Sequence, residues 1–273
     1  MPTVRTRDGV NLYVKDWGQG RPVVLLHGWP LNADMWEYQA PALVEAGFRV
    51  IAYDRRGFGR SDQPGTGYDY DTLTNDLEDV LDTTGARHAA LVGFSMGGGE
   101  VARFLGRHGG HSLFKAALIS SVVPGMLKSD ANPDGVPKEQ FDTMIAGLKE
   151  DRPAFLAEFG KMFVGAGPIS KPVSAPMMDW MQSMALMASP IASAACVKSF
   201  GETDFTRDLK GFDLPVLLIH GTDDKTVPPK PTAHRVKALV PHAELIEYEG
   251  APHATVFTEA ARLAGDLVAF LRR

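Results

Sequence analysis

The chain has 273 residues, 44% of them hydrophobic and 22% charged, a size and composition typical of one large globular domain or of one domain with an insertion. Its net charge of −5 argues against a nucleic-acid partner, because that kind of binding needs a basic surface. No apolar run approaches the roughly 18–20 residues that cross a bilayer, and residues 1–8 lack the apolar core of a signal peptide. We therefore expect a cytoplasmic protein with no membrane partner.

Short apolar runs recur along the chain and alternate with segments of helical apolar spacing, which indicates an α/β sheet. The first run, Val10 to Val14, alternates with period two and predicts an antiparallel edge strand with one face in water. The next runs are almost continuously apolar and predict central parallel strands covered on both faces: residues 22–27, 48–53, 88–93, 114–119 and 214–219. A last strand is expected over residues 243–248.

Two segments carry clear helical stripes. Leu73, Leu77, Val80 and Leu81 share one helix face, with Asp71 as the predicted N-cap and Gly85 as the stop signal. Near the end of the chain, apolar residues from Val256 to Leu271 form a similar stripe. We expect this stripe to be one helix that lies across the sheet.

The composition changes between Pro124 and Ser199. Strand-like runs disappear there, and 8 of the 11 methionines lie between Met126 and Met187. Helical apolar spacing predicts a helical cap over residues 124–199, inserted into a core domain of residues 1–123 and 200–273. We expect part of this segment to line an apolar substrate pocket. The single cysteine, Cys196, lies in a run of small apolar residues and is expected to be an inert packed thiol.

The strongest chemical signal is the sequence Gly93-Phe94-Ser95-Met96-Gly97, which closes an apolar strand and opens a helix. A sharp turn between a strand and a helix exposes a serine hydroxyl above the sheet, and small neighbours leave room for its strained backbone. The pattern predicts Ser95 as a nucleophile.

A serine hydroxyl needs a general base and a third group that orients the base. Asp223 and Asp224 follow the predicted strand 214–219, and His253 lies between the last strand and the final helix. The order Ser95, Asp224, His253 is the nucleophile–acid–base order of this sheet topology. Asp223 is the alternative acid. His27 and His220 each follow a strand and are interpreted as structural hydrogen-bonding groups.

Acyl transfer also needs donors for the developing oxyanion. The backbone N–H of Met96, directly after the nucleophile, is one candidate. The second is the N–H of Trp29 in the sequence His27-Gly28-Trp29-Pro30, because this turn follows a predicted strand and Pro30 has no N–H.

Taken together, these motifs resemble the α/β-hydrolase superfamily and, within it, the bacterial arylesterase and cofactor-free haloperoxidase (perhydrolase) family. The resemblance runs through the motifs around Trp29, Ser95, Asp224 and His253 and through residues 54–61 and 202–205. It implies an eight-stranded, mostly parallel sheet flanked by helices with a helical cap. It also implies no cofactor, no metal and a tendency to form homo-oligomers.

The same resemblance implies roles for further residues. Pro30, directly after the oxyanion-loop tryptophan, resembles the perhydrolase members, whereas leucine there resembles plain esterases. A proline can redirect the Trp29 carbonyl to accept a hydrogen bond from peroxide. The positions that line the acyl pocket of the family correspond here to Val122, Met126, Met144, Phe159, Phe163 and Thr226.

We therefore expect a serine hydrolase that cleaves small or aryl carboxylic esters, with perhydrolase activity when hydrogen peroxide replaces water. An amide, lactam or C–C bond hydrolase on the same triad is an alternative. A ligand-binding receptor without catalysis is an alternative from another class.

Overall fold

The computed structural model describes residues 3–273, and its centre is one eight-stranded sheet. The strands are β1 (Thr3–Arg5), β2 (Asn11–Trp17), β3 (Arg21–Leu26), β4 (Phe48–Tyr53), β5 (Ala89–Phe94), β6 (Leu113–Ile119), β7 (Val216–Gly221) and β8 (Glu244–Tyr248). Their order in the sheet is β1-β2-β4-β3-β5-β6-β7-β8. β1 and β2 run antiparallel to their neighbours, and every other pair is parallel. The predicted fold class is confirmed.

The run from Val10 to Val14 was predicted to be an edge strand, and this is wrong, because it forms β2, which lies inside β1. β1 pairs with the outer side of β2, and Val4 lies opposite Leu12. Both side chains are buried, so this short strand extends the core by one row. A three-residue strand with one apolar residue is too short to show the period-two pattern from which strands are predicted.

Helices cover the sheet and form the segment between β6 and β7. They are α1 (Ala40–Glu45), α2 (Tyr70–Thr84), α3 (Met96–His108), α4 (Lys138–Glu150), α5 (Arg152–Phe163), α6 (Ala175–Leu186), α7 (Pro190–Glu202), α8 (Ala233–Leu239), α9 (Thr255–Thr258) and α10 (Ala260–Arg272). Short 3-10 helices occupy Ala33–Trp36 and Asp208–Gly211.

Two helix boundaries differ from the prediction. The N-cap of α2 is Asp69, whose side chain accepts a hydrogen bond from the N–H of Thr72, whereas Asp71 lies in the first turn and pairs with Arg103. Both aspartates could cap the helix, and the extended backbone at Asp69 decides between them. The final helix is interrupted at Glu259, where φ is −120° and ψ is 28°, so α9 and α10 are separate helices.

The segment between β6 and β7 contains α4 to α7, and its last helix ends at Glu202, three residues beyond the predicted cap boundary. Cys196 of α7 is fully buried, and burial raises the pKa of its thiol to about 12. Within residues 3–273, no single helix is long and apolar enough to cross a bilayer. The pair α6 and α7, bent by 96°, meets those criteria only when both helices are taken together.

Candidate active site

Ser95 lies in the turn between β5 and α3, at the carboxyl end of the central strands. Its backbone has φ 53° and ψ −117°, which is rare for a residue with a side chain, and its N–H donates to the carbonyl of Ile119 on the next strand. A Cβ on Gly93 would lie 2.4 Å from the carbonyl oxygen of Gly97, and one on Gly97 would lie 2.4 Å from that of Leu26. The glycines of this motif therefore let the turn close tightly against β3.

His253 connects the serine to the acid. It lies in the loop between β8 and α9 and is buried, with 1% of its surface exposed. Its Nε2 atom is 2.9 Å from Oγ of Ser95, and its Nδ1 atom is 2.6 Å from Oδ2 of Asp224. The ring packs edge-on against Phe163, with 5.2 Å between the ring centroids. The three side chains therefore have the contacts that a nucleophile, a general base and an orienting acid need.

The structure distinguishes the two candidate acids. The side chain of Asp224 has no exposed surface, whereas that of Asp223 is 63% exposed and lies 3.8 Å from Lys225. The Oδ1 atom of Asp224 accepts hydrogen bonds from the backbone N–H groups of Thr226 at 3.0 Å and Val227 at 2.8 Å. Asp224 is thus the carboxylate that faces His253.

A second histidine, His220, also contacts this acid. Its Nε2 atom lies 2.8 Å from the carbonyl oxygen of Val227 and 3.2 Å from Oδ2 of Asp224. A carbonyl only accepts, so Nε2 of His220 carries a proton that points toward both oxygens. Burial alone would raise the pKa of Asp224, but His253 and His220 hold it at about 2. His220, interpreted from the sequence as structural, therefore also belongs to the environment of the acid.

The two predicted oxyanion donors flank the serine. Met96 is the first residue of α3 and directly follows the serine. The turn at residues 28–29 lies against the serine from the other side, because a Cβ on Gly28 would lie only 3.2 Å from Cβ of Ser95. Within residues 3–273, the backbone N–H groups of Trp29 and Met96 donate to no protein acceptor. The indole of Trp29 is anchored separately, because its Nε1–H donates to the carbonyl of Ser193 at 3.0 Å. Both amides are available to a ligand.

A cavity of about 140 Å³ opens above Ser95 and His253. Five of the predicted pocket residues line it: Val122, Met126, Met144, Phe159 and Thr226. It is also lined by four residues outside the predicted set: Val136, Phe141, Met162 and Phe200. Phe141 lies on α4 and Phe200 on α7, and only the packing of these two helices brings the rings to 6.3 Å.

The sixth predicted pocket residue, Phe163, lines a neighbouring cavity of about 230 Å³ together with Pro30, the residue that the resemblance associates with perhydrolysis. This cavity lies between the turn at residues 30–31 and helices α5 and α6, and Phe159 lines both cavities. Phe163 still contacts the site through the ring of His253. The structure therefore groups these two residues beside the cavity that contains the serine, not in its wall.

Comparison with known proteins agrees with this architecture. A family profile described as alpha/beta hydrolase fold matches residues 21–260. The chain belongs to the α/β-hydrolase family.

Within that family, a non-heme chloroperoxidase of Kitasatospora aureofaciens is 46% identical over 275 residues, and a bifunctional esterase/perhydrolase of Acinetobacter calcoaceticus is 41% identical over 284 residues. Both alignments cover 100% of each chain. Among solved structures, a bromoperoxidase from Bacillus anthracis superposes with a TM-score of 0.96 at 41% identity, covering 100% of this chain and 99% of that one. An esterase from Exiguobacterium antarcticum gives 0.94 at 32% identity, covering 99% of each chain. The predicted resemblance is confirmed.

Proposed function

We propose that this chain is a serine hydrolase of small or aryl carboxylic esters, with perhydrolase activity when hydrogen peroxide replaces water. The observation that carries the proposal is the continuous path from Ser95 through His253 to Asp224, with contacts of 2.9 Å and 2.6 Å. It is supported by the relatives, which include esterases, haloperoxidases and a bifunctional esterase/perhydrolase.

In the first half of the reaction, Nε2 of His253 takes the proton of the Ser95 hydroxyl as Oγ attacks the ester carbonyl. The carbonyl oxygen becomes an oxyanion, which accepts hydrogen bonds from the N–H groups of Trp29 and Met96. The intermediate collapses when His253 returns the proton to the leaving alcohol. The carboxylate of Asp224 stabilises the imidazolium while it holds this proton.

In the second half, a second nucleophile attacks the acyl-enzyme while His253 takes its proton. Water releases a carboxylic acid, and hydrogen peroxide releases a peracid, which can oxidise halide in solution. In either case Ser95 regains its proton from His253. Every step uses side chains and backbone amides of this chain.

The helices α4 to α7 would act as the predicted cap of residues 124–199. Both Met126 and Met144 of this segment line the cavity above Ser95, so the segment would shape the space for the acyl group. The flexible methionine side chains suit an adaptable apolar pocket.

Replacement of the nucleophile tests the proposal. Ser95→Ala should remove hydrolysis of p-nitrophenyl acetate and peracid formation from peroxide and acetate ester together, because both pass through the same acyl-enzyme. A variant that retains full turnover of either reaction would contradict the proposal. A cytoplasmic location and a homo-oligomer stay predictions, which cell fractionation and size-exclusion chromatography would check.

A further inference from the structure

One residue in the wall of the cavity above Ser95, Thr226, has a hydroxyl whose hydrogen-bonding capacity is unused in residues 3–273. Among the polar residues of the wall other than Ser95 and His253, Gln140 and Lys225 are exposed to solvent. The Oγ1 atom of Thr226 has almost no accessible surface, either to bulk solvent or to the cavity, and has no hydrogen-bond partner in residues 3–273. Buried hydroxyls are almost always paired, because an unpaired one costs free energy.

The position of this hydroxyl is tied to the triad. The backbone N–H of Thr226 donates to Oδ1 of Asp224 at 3.0 Å, so the residue cannot shift without disturbing the acid. The apolar residues Val122, Met126 and Phe141 line the same cavity and offer no hydrogen-bonding side-chain atom. A rotation about the Cα–Cβ bond of Thr226 turns its hydroxyl toward the cavity, where an acceptor on a bound substrate can pair with it.

We propose that the hydroxyl of Thr226 donates a hydrogen bond to the acyl group of the substrate, and that the preferred esters carry an acceptor oxygen close to the ester carbonyl. This inference rests on the proposed ester hydrolysis. Alkoxy and keto acids belong to this class of acyl groups, whereas a simple alkanoyl chain of equal length leaves the hydroxyl unpaired.

The test compares p-nitrophenyl methoxyacetate with p-nitrophenyl butyrate, which differ by an ether oxygen in place of one methylene. The ratio of their kcat/KM values is measured for the wild type, Thr226→Val and Thr226→Ser. Valine has the shape of threonine without the hydroxyl, and serine keeps the hydroxyl. We expect the ratio to fall about three- to tenfold in Thr226→Val and to stay near the wild-type value in Thr226→Ser.

The ratio for one protein does not depend on its folded fraction. Comparing the ratios of the three proteins also cancels the difference in intrinsic reactivity between the two esters. Equal ratios in all three proteins, or an equal loss in both variants, would overturn the proposal. Thr226→Ala, which also lacks the hydroxyl, replaces the valine variant if the latter does not fold. A wild type that hydrolyses neither ester would instead contradict the proposed function.

A second and independent observation concerns His27, whose ring lies buried beneath the oxyanion turn. Its Nε2 atom is 2.9 Å from the backbone N of Arg55, an N–H that can only donate, so Nε2 carries no proton. Its Nδ1 atom is 2.9 Å from the carbonyl oxygen of Gly28, which can only accept, so Nδ1 carries the proton. The ring is therefore neutral and in one tautomer. Burial and, after it, the Arg55 guanidinium lower its pKa well below the usual value.

The surroundings of this ring are rigid. The guanidinium of Arg55 donates to the carbonyl of His27 at 2.6 Å and, through Nε, to Glu100 at 2.8 Å. The hydroxyl of Tyr53 donates to the other oxygen of Glu100 at 3.1 Å. All four side chains are buried, so the imidazole has a fixed place relative to the turn.

The Gly28 carbonyl belongs to the peptide unit that carries the N–H of Trp29. A trans peptide is planar and its C=O and N–H point in opposite directions, so a bond that fixes one also aims the other. We infer that His27 is a positioning residue: its Nδ1–H holds the Gly28 carbonyl so that the Trp29 N–H faces the oxyanion formed at Ser95. The N–H of Leu31 donates to the same carbonyl at 3.1 Å and assists from the other side of the turn.

Two amide variants separate the hydrogen bond that His27 donates to the Gly28 carbonyl from the one that it accepts from the Arg55 N–H. In His27→Asn the side-chain N–H can replace Nδ1–H toward Gly28, whereas in His27→Gln the side-chain oxygen can replace Nε2 as the acceptor for Arg55. We expect kcat for p-nitrophenyl acetate to stay within a few fold of wild type in His27→Asn. In His27→Gln it should fall at least tenfold with little change in KM, because the oxyanion bonds form in the transition state.

Unfolding by urea is measured on both variants. A purely structural role of His27 predicts that both lose stability but that their kcat values do not differ in this way. Equal kcat values in the two variants would overturn the inference. If either variant fails to fold, ¹⁵N NMR of histidine-labelled wild type provides the test. A proton on Nε2 of His27 would contradict the inference, and one on Nδ1 would agree with it. Absence of ester turnover in the wild type would contradict only the proposed function.

Discussion

The Nε2 atom of His220 lies 3.2 Å from Oδ2 of Asp224, the same oxygen that Nδ1 of His253 contacts at 2.6 Å. Two histidines thus face one carboxylate oxygen, while two backbone N–H groups bind the other oxygen. This arrangement explains how a carboxylate without exposed surface stays ionised.

The lowered pKa of Asp224 predicts a dependence of stability on acid. Its folded-state pKa is about 2, against 3.8 for a free side chain, so the folded state binds this proton less readily than the unfolded chain. The ionised carboxylate therefore stabilises the fold fully above pH 4, by about 2 kcal/mol, and this contribution disappears as the pH falls toward 2. In Asp224→Asn the free energy of unfolding should depend less on pH across this range.

Urea denaturation between pH 2 and pH 6 measures this difference. His220→Leu, which removes one donor to the carboxylate, should retain only part of the wild-type pH dependence, and His220→Gln, which keeps an N–H, should retain more. Identical pH profiles for the wild type and Asp224→Asn would contradict the account of the acid.

The two neighbouring aspartates provide a matched comparison for catalysis. We expect Asp224→Asn to lower kcat about a thousandfold or more, because the amide cannot stabilise the imidazolium and favours the wrong tautomer of His253. Asp223→Asn should stay near wild type, since the side chain of Asp223 is largely exposed and its charged neighbour is Lys225. Steady-state hydrolysis of p-nitrophenyl acetate separates the two, and similar losses in both variants would show that the acid is misassigned.

Pro30 should influence the choice between water and peroxide. It follows Trp29 directly, and the family resemblance associates proline here with perhydrolases through the direction of the Trp29 carbonyl. Pro30→Leu is expected to lower the ratio of peracid formation to ester hydrolysis severalfold. Bromide oxidation by the peracid and release of p-nitrophenol are measured on the same enzyme preparation. A ratio equal to that of the wild type would exclude this role.

The buried ion pair between Arg55 and Glu100 should be expensive to break. Both side chains have at most 1% exposed surface, and Glu100→Leu leaves the guanidinium without its counter-charge. Removing one partner of such a pair costs about 3–5 kcal/mol. Removing both, in the double variant Arg55→Met/Glu100→Leu, should cost less than the sum of the costs of Arg55→Met alone and Glu100→Leu alone. Urea denaturation of the three variants tests this coupling, and simple additivity would argue against it.

Much of the sheet could be predicted because its central strands are buried on both faces, so their sequences are continuous apolar runs. β4 was predicted at its observed residues, 48–53. β1 escaped prediction because three residues carry no periodicity. The position of the N-cap of α2 depended on backbone geometry at two equally suitable aspartates, and the sequence does not contain that information.

The candidate site was predictable where chemistry restricts residue type, and less so where packing decides. A nucleophile after a strand, a histidine before the last helix and an aspartate at a strand end each have a distinctive local context. By contrast, Phe141 and Phe200 reach the cavity only because α4 packs on α7, and Phe163 lines the neighbouring cavity instead. The contact of His220 with Asp224 depends on how the loop after β7 folds back.

Both proposed activities depend on an acyl-enzyme that Ser95 forms with the ester substrate. The most direct measurement is rapid mixing with p-nitrophenyl acetate, acid quenching and mass spectrometry of the proteolysed chain. We expect one acetyl group on the peptide that contains Ser95, formed at the rate of the p-nitrophenol burst and absent in Ser95→Ala. An acetyl group on another residue, or p-nitrophenol release that persists unchanged in Ser95→Ala, would contradict it.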